Sequence, residues 1–161
     1  MNFLAALPYS ESMPDAKTQP DLASLFHRAA RSVRRQTRLA LDPHGITPHQ
    51  SRAMMLLARA SQGGDGPGGL RNSQLAEQLR IAPRSATEVV DQLQDKQLVR
   101  RTQDPADRRA WLISLTPAGA ELSAVLREDR RVQMNDFFAR LDPADQAQLA
   151  RILTALIDDD C

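Results

Sequence analysis

NSQLAEQLRIAPRSATEVVDQLQDKQLVRRTQDPADRRAWLISLT, residues Asn72 to Thr116, is the stretch on which the fold turns. It opens on Asn72 or Ser73, either of which can cap a helix, and Leu75, Ala76 and Leu79 then recur at helical spacing. Ile81-Ala82-Pro83 makes a corner, with Pro83 as the first residue of a second helix. There Ala86, Val89, Val90 and Leu93 share a buried face, while Arg84, Glu88, Asp91 and Asp95 point outward, flanked by Ser85, Thr87 and Gln92. Leu98 and Val99 close this small core. Val99–Thr102 and Ala110–Leu115 then read as two strands, with Trp111, Ile113 and Leu115 alternating against Leu112 and Ser114. Between them Gln103–Arg109 is expected to be a loop, with Asp104-Pro105 as its turn signal. Two short helices at a tight corner followed by a charged hairpin form a shape that can set a helix in one groove of DNA and arginines in the next.

Upstream, Thr47-Pro48-His49-Gln50 has the grammar of a capping box, and the apolar run Ala53–Ala58 that follows predicts a helix covered on several sides. Five glycines within Gly63–Gly69 end it. No lysine follows them in a phosphate-binding pattern, so they read as a linker. Further upstream, Leu22, Leu25, Phe26, Ala29, Val33 and Ala40 define one helical face, and Arg28, Arg31, Arg34, Arg35 and Arg38 the opposite one. That basic stripe is either a solvated face or a surface for the acidic C-terminus of this chain or a partner, a reading preferred to direct DNA contact. Residues 1–20, with three prolines and no sustained period, read as a mobile arm or an extension packed on a partner subunit.

Downstream, Thr116-Pro117 starts a helix whose pattern runs to about Leu141, and Asp142-Pro143 starts a last one. Some 25 residues at about 1.5 Å each span roughly 37 Å, more than a small domain needs for its own core. The apolar-faced helices at 22–41, 117–141 and 143–158 therefore need a partner, most economically a second copy of the chain. The expected class is mainly α with a small β-hairpin. Residues 21–46 and 117–161 would form the dimerisation region and 47–116 the DNA-binding domain.

Composition narrows the function. The net charge of +1 is uneven: residues 1–80 carry a surplus of four positive charges and residues 117–161 a surplus of four negative ones. The single cysteine, Cys161, allows no internal disulfide, and His27, His44 and His49 lack partners at a zinc spacing, so no metal site is expected. No apolar run reaches the roughly 20 residues of a membrane span, and Met1–Leu7 lacks the features of a secretion signal, which points to the cytoplasm. No nucleophile–base pair, phosphate loop or carboxylate dyad suggests an enzyme, and no cofactor is implied.

The runs Leu75–Leu79, Pro83–Leu93, Leu98–Arg101, Asp104–Ala110 and Leu115-Thr116-Pro117-Ala118-Gly119 together resemble the MarR family of winged helix-turn-helix regulators, over residues 21–158. The resemblance implies a triangular homodimer whose two winged lobes read a pseudo-palindromic operator. It also implies regulation of transcription, as repressor or activator, commonly relieved by a small phenolic or other amphipathic ligand. It places Arg84, Ser85, Thr87 and Glu88 in the major groove and Arg108 or Arg109 in the minor groove, with Asp107 orienting that arginine. Ser73 joins this DNA-facing set, and His44, Arg52 and Trp111 are the candidates for effector binding. Two departures stand out. Gln97 occupies a position where many relatives have glycine, which makes a left-handed turn costlier and predicts a modified corner with the wing retained. The first helix lacks the cysteine of redox-sensing members, so peroxide sensing is not expected.

Several choices stay open at this level. Asp91 and Asp95 would be repelled by phosphate unless the helix enters the groove by its N-terminal turn. Arg84 can then take guanine and Glu88 cytosine, or Glu88 simply pairs with Arg84 one turn away. Arg108 and Arg109 either suit a narrow, negative minor groove or form a solvated turn. Trp111 is either hairpin core or a ligand stacker. A rival reading is a winged-helix protein-interaction module without specific DNA binding.

Overall fold

The computed structural model describes residues 21–62 and 68–158. The expected N-terminal arm, most of the glycine linker and Cys161 lie outside these residues. In chain order the elements are α1 (Leu22–Leu41), a short 3-10 turn (Asp42–His44), α2 (Pro48–Gln62), β1 (Leu70–Arg71), α3 (Asn72–Leu79) and α4 (Pro83–Asp95). Then come β2 (Val99–Asp104), β3 (Asp107–Leu115), α5 (Pro117–Phe138) and α6 (Pro143–Asp158).

Local chemistry sets most of the helix starts. Asp21 accepts from the backbone of Ala23 and Ser24 at the head of α1, and Asp142 accepts from Asp145 at the head of α6. At α2, Thr47 Oγ1 accepts from Gln50 N at 3.2 Å and Gln50 Oε1 accepts from Thr47 N at 3.0 Å, a reciprocal capping box. At α3 the expected cap is not used. The helix begins at Asn72, Arg71 N donates to Gln74 Oε1 at 2.8 Å, and the Asn72 side chain reaches across to α4 instead. α5 stops at Phe138, short of the expected Leu141, where Leu141 N turns back onto Phe138 O.

The core is one cluster with α2 through its middle. Met54 and Leu57 of α2 are fully buried, as are Leu75 and Leu79 of α3, Val90 and Leu93 of α4, and Ile113 of β3. Each such side chain contributes about 1.5–3 kcal/mol by leaving water. The sheet differs from the expected hairpin in having three strands, in the order β1-β3-β2, all antiparallel. Leu70 pairs with Ile113 and Arg71 with Leu112. Gly69, read as linker, is part of this contact: a Cβ there would lie 2.6 Å from the Ile113 carbonyl oxygen.

Expected to be modified at Gln97, the corner after α4 nevertheless keeps the left-handed turn, with Gln97 at φ +58° and the wing in place. Gln97 N donates to Gln94 O at 2.8 Å and Leu98 N to Leu93 O at 2.9 Å, closing the helix with a non-glycine residue in the left-handed region. Thr116 then ties the corner to α5: its hydroxyl donates to Gln97 O at 2.7 Å and accepts from Gly119 N at 3.1 Å. Gly119 rides so close to the corner that a Cβ would lie 1.9 Å from the Leu98 carbonyl oxygen. The glycine of the Leu-Thr-Pro-x-Gly run is thus a steric requirement of seating α5 on the wing's root.

Outside this core the apolar faces are uncovered. α1 buries only Leu41 and α6 buries nothing, while Leu22 is 81%, Phe26 60% and Leu156 63% exposed.

Candidate nucleic-acid interface

α4 is held by polar contacts to three neighbouring elements. Toward α3, Asn72 Nδ2 donates to Thr87 Oγ1 at 3.0 Å, and the Thr87 hydroxyl donates to Pro83 O at 3.1 Å. Toward α2, Gln50 Nε2 donates to Gln92 Oε1 at 2.8 Å, and Lys96 Nζ donates to Gln50 Oε1 at 3.1 Å and to Gly45 O. Toward β2, Arg101 donates to Asp91 Oδ1 at 2.5 Å and to Gln94 Oε1 at 2.9 Å. The exposed acid noted in the sequence is therefore half answered, because Asp91 carries its own guanidinium.

What remains outward at the N-terminal end is Arg84, Ser85 and Glu88, all exposed. Arg84 is 93% exposed in its side chain and stands 3.6 Å from Glu88 one turn away. An ion pair this open to water stabilises little, so either partner is free to exchange it for a base edge. The Thr87 hydroxyl is committed to Asn72 and Pro83. Ser73 is exposed in the first turn of α3.

The wing is tighter than the sequence suggested. The expected seven-residue loop shrinks to Pro105-Ala106, because Asp104 pairs with Asp107 while Gln103 pairs with Trp111. Arg108, Arg109 and Ala110 consequently have no partner on β2, and both arginines project from a bulge beside the turn. Asp107 meets Arg109 through the backbone. Its Oδ1 accepts from Arg109 N at 3.0 Å, and its Oδ2 faces Arg71 Nη1 at 3.8 Å.

Arg71 is the residue that sequence reasoning missed. It donates to Asp104 Oδ2 through Nε at 2.9 Å and Nη2 at 2.6 Å, and Asp104 Oδ1 accepts from Ala106 N at 2.9 Å. Asp104 is buried, so its carboxylate is the hub that fastens the wing turn to β1. The hydrogen bonds from Arg71, and then that from Ala106, hold its pKa below the ordinary 3.8, against the opposing effect of burial. A depressed folded-state pKa means that the ionised carboxylate favours the folded turn. Its contribution is whole above the unfolded value and is lost as pH falls through the folded one. The wing turn is therefore expected to loosen only below about pH 4. Asp104→Asn should bring the same loosening to neutral pH, read as faster amide exchange at Ala106 with the α2 core amides unchanged. Equal Ala106 protection in variant and parent would show that the carboxylate does not hold the turn.

The three candidate effector residues do not come together. Arg52 lines a cavity of about 380 Å³ between α1, α2 and α5, with Arg34, Arg38 and Arg130 at its edges and Leu41 and Met55 among its apolar lining. No Asp or Glu lines it. The buried Gln133 Oε1, on a residue of this lining, has no hydrogen-bond partner. His44 lies outside the cavity and faces Asp129 of α5 at 3.7 Å. Trp111 is on the wing, 53% exposed, and is not the hairpin core that its alternation with Ile113 suggested. Ile113 lies over the helices, whereas Trp111, two residues nearer the tip, has no core beneath it.

Among the described residues no group of three or more His, Cys, Asp or Glu could hold a metal ion, and no helix is long and apolar enough to cross a membrane.

Comparison with known proteins agrees with this geometry. The sequence model of the MarR family matches residues 66–111, the segment from the middle of the glycine run to Trp111. A Thauera aromatica protein named for transcriptional regulation of the hcr operon is 31% identical over 129 residues, covering 80% of this chain and 74% of that protein. The transcriptional repressor MdtR of Bacillus subtilis is 28% identical, covering 73% and 71% of the two chains. In structure, MepR of Staphylococcus aureus in its DNA complex superposes with a TM-score of 0.70 at 20% identity, over 88% of this chain and 99% of that one, which shows the shared winged-helix fold. With a helix-turn-helix, a three-stranded wing and these relatives in agreement, the chain belongs to the MarR family and is a transcriptional regulator of that type.

Proposed function

We propose that the chain binds a pseudo-palindromic DNA operator as a homodimer, acts as a repressor, and is released by a small anionic amphipathic ligand such as a phenol or aromatic acid. The observation that carries the DNA reading is the pairing of two exposed cationic features on adjoining elements: Arg84 on the first turn of α4, and the Arg108–Arg109 bulge of the wing that Arg101 ties to α4. A helix entering by its N-terminal turn puts Arg84, Ser85 and Glu88 at base edges and leaves Asp95 away from phosphate. The names of MdtR as a repressor and of MepR in a DNA complex support the same reading.

The uncovered apolar faces of α1 and α6 support the homodimer, since an isolated chain would leave Leu22, Phe26, Leu156 and Ile157 in water. The cavity supports the ligand. Arginine-rich, apolar in its walls and without acidic lining, it suits an anion with a hydrophobic body. It also adjoins the reading helix through α2, because Ser51 and Arg52 line it while neighbouring Gln50 bonds α4.

Gel filtration is expected to give a dimer. Mobility shift on the duplex upstream of the chain's own gene is expected to show binding that weakens steeply with salt. A stable monomer, or an affinity indifferent to salt, would overturn the proposal in favour of a protein-interaction module.

A further inference from the structure

Guanidinium groups from three helices border the cavity between α1, α2 and α5: Arg34 and Arg38 from the first, Arg52 from the second, Arg130 from the third. Among the described residues none of these four forms an ion pair, although Arg71, Arg84, Arg101 and Arg131 each do. The acids closest to Arg130 along α5 are engaged elsewhere, Asp129 facing His44 at 3.7 Å and Glu128 bonded to Arg131 at 2.6 Å. Asp42 meets Arg38 only at the edge of a separate, smaller cavity.

Two polar groups on α5 sharpen the chemistry of this space. Arg130 Nη1 donates to Met55 Sδ at 3.9 Å, and a thioether is a weak acceptor for a full charge. Gln133, one turn further along, has its Oε1 buried without a donor. The Thr37 hydroxyl, on the same lining, already donates to Val33 O at 3.0 Å. A donor for Gln133 is therefore left to whatever binds between the helices.

We propose that the ligand of this cavity carries a doubly charged head, a phosphate monoester, on an apolar body that also bears a hydroxyl group. The inference rests on the ligand reading above and narrows it from an anion in general to this class. Charge count carries the argument. A carboxylate has two oxygens and one charge, which suit a single guanidinium fork and leave the remaining cations without a counter-charge. A phosphate monoester presents three terminal oxygens and close to two negative charges, so forks from different helices can each take an oxygen. Leu41 and Met55 give the body an apolar wall, and about 380 Å³ is room for a single ring with its substituents.

Isothermal titration of the full chain at constant ionic strength tests the charge count, with phenyl phosphate, benzoate and inorganic phosphate as probes. At about pH 8 the phosphate monoester is doubly ionised and benzoate carries one charge. Phenyl phosphate is expected to bind about tenfold more tightly than benzoate, through one further charge-assisted contact, and more tightly than inorganic phosphate, which has no ring. Arg52→Gln and Arg130→Gln should each bring phenyl phosphate toward the benzoate affinity. Their melting temperatures are expected to match the parent's, as both residues are exposed. Among the isomers of hydroxyphenyl phosphate, one should bind more tightly than phenyl phosphate, and Gln133→Leu should abolish that gain.

Equal affinities for phenyl phosphate and benzoate would overturn the doubly charged head and leave the ligand reading standing. Inorganic phosphate binding as tightly as phenyl phosphate would mean a bare anion site, which also overturns the inference. If no hydroxylated isomer gains affinity, the hydroxyl assignment falls. If none of the probes binds, the ligand reading fails and takes this inference with it.

Discussion

Arg108→Ala combined with Arg109→Ala is expected to lower the affinity for the upstream duplex about a hundredfold, as the product of contacts of about tenfold lost from each wing of a dimer. Thermal stability should not change. The two arginines sit on the part of β3 that has no partner on β2, and their side chains are exposed. The turn beside them is held by Arg71, Asp104 and the Asp107–Arg109 backbone bond, all of which survive truncation of the side chains. Loss of affinity is then attributable to the missing cations and not to a disordered wing. Comparing the single variants shows which arginine enters the groove: the one whose loss reproduces most of the effect is the anchor. Parental affinity in the double variant would mean that the bulge is an ordinary solvated turn.

The central part of this architecture was legible because local chemistry determines it. The Thr47–Gln50 capping box, the prolines at the first positions of α2, α4, α5 and α6, and the Thr116 cap each act within a few residues, so the sequence displays them directly. The features that were missed depend on residues far apart in the chain. β1 is two residues long and carries no period. It exists because Leu112 and Ile113, some forty residues later, offer it an edge. Arg71 likewise shows nothing locally, since its meaning is Asp104, 33 positions away. Trp111 was misplaced for a related reason: alternation says which face of a strand a residue occupies, but not whether a helix layer extends far enough to cover it. Asp107 bonds the backbone of its neighbour Arg109, which the sequence can show, and faces Arg71, which it cannot.

Gly119→Ala is expected to cost about 3 kcal/mol and to lower the melting temperature by roughly 6–12 °C. The methyl group would lie 1.9 Å from the Leu98 carbonyl oxygen and 2.9 Å from its carbon. Both are backbone atoms and cannot rotate aside. Relief requires lifting the first turn of α5, which would break the Thr116 N to Leu98 O bond of 3.1 Å and the Thr116 contact with Gln97. Those bonds join the wing's root to the long helix leading toward α6. The variant should therefore bind DNA more weakly as well as melt earlier. Differential scanning calorimetry with a mobility shift on the same preparation measures both, and a melting temperature within about one degree of the parent would show that α5 is not seated as described.

The three polar pins on α4 bear on how such a regulator tolerates mutation. Oil-like contacts at Ala86, Val90 and Leu93 hold the helix against the core but resist rolling about its axis only weakly, since one aliphatic surface slides over another at little cost. Asn72–Thr87 and Arg101–Asp91 attach one turn apart on one side of the cylinder and Gln50–Gln92 attaches on another, so a roll in either direction stretches at least one of them. The orientation of the outward face of α4 is thus set by directional bonds, while its adhesion to the lobe is set by hydrophobic burial. Drift among the aliphatic residues can change how tightly the lobe holds together without turning Arg84 from its outward position.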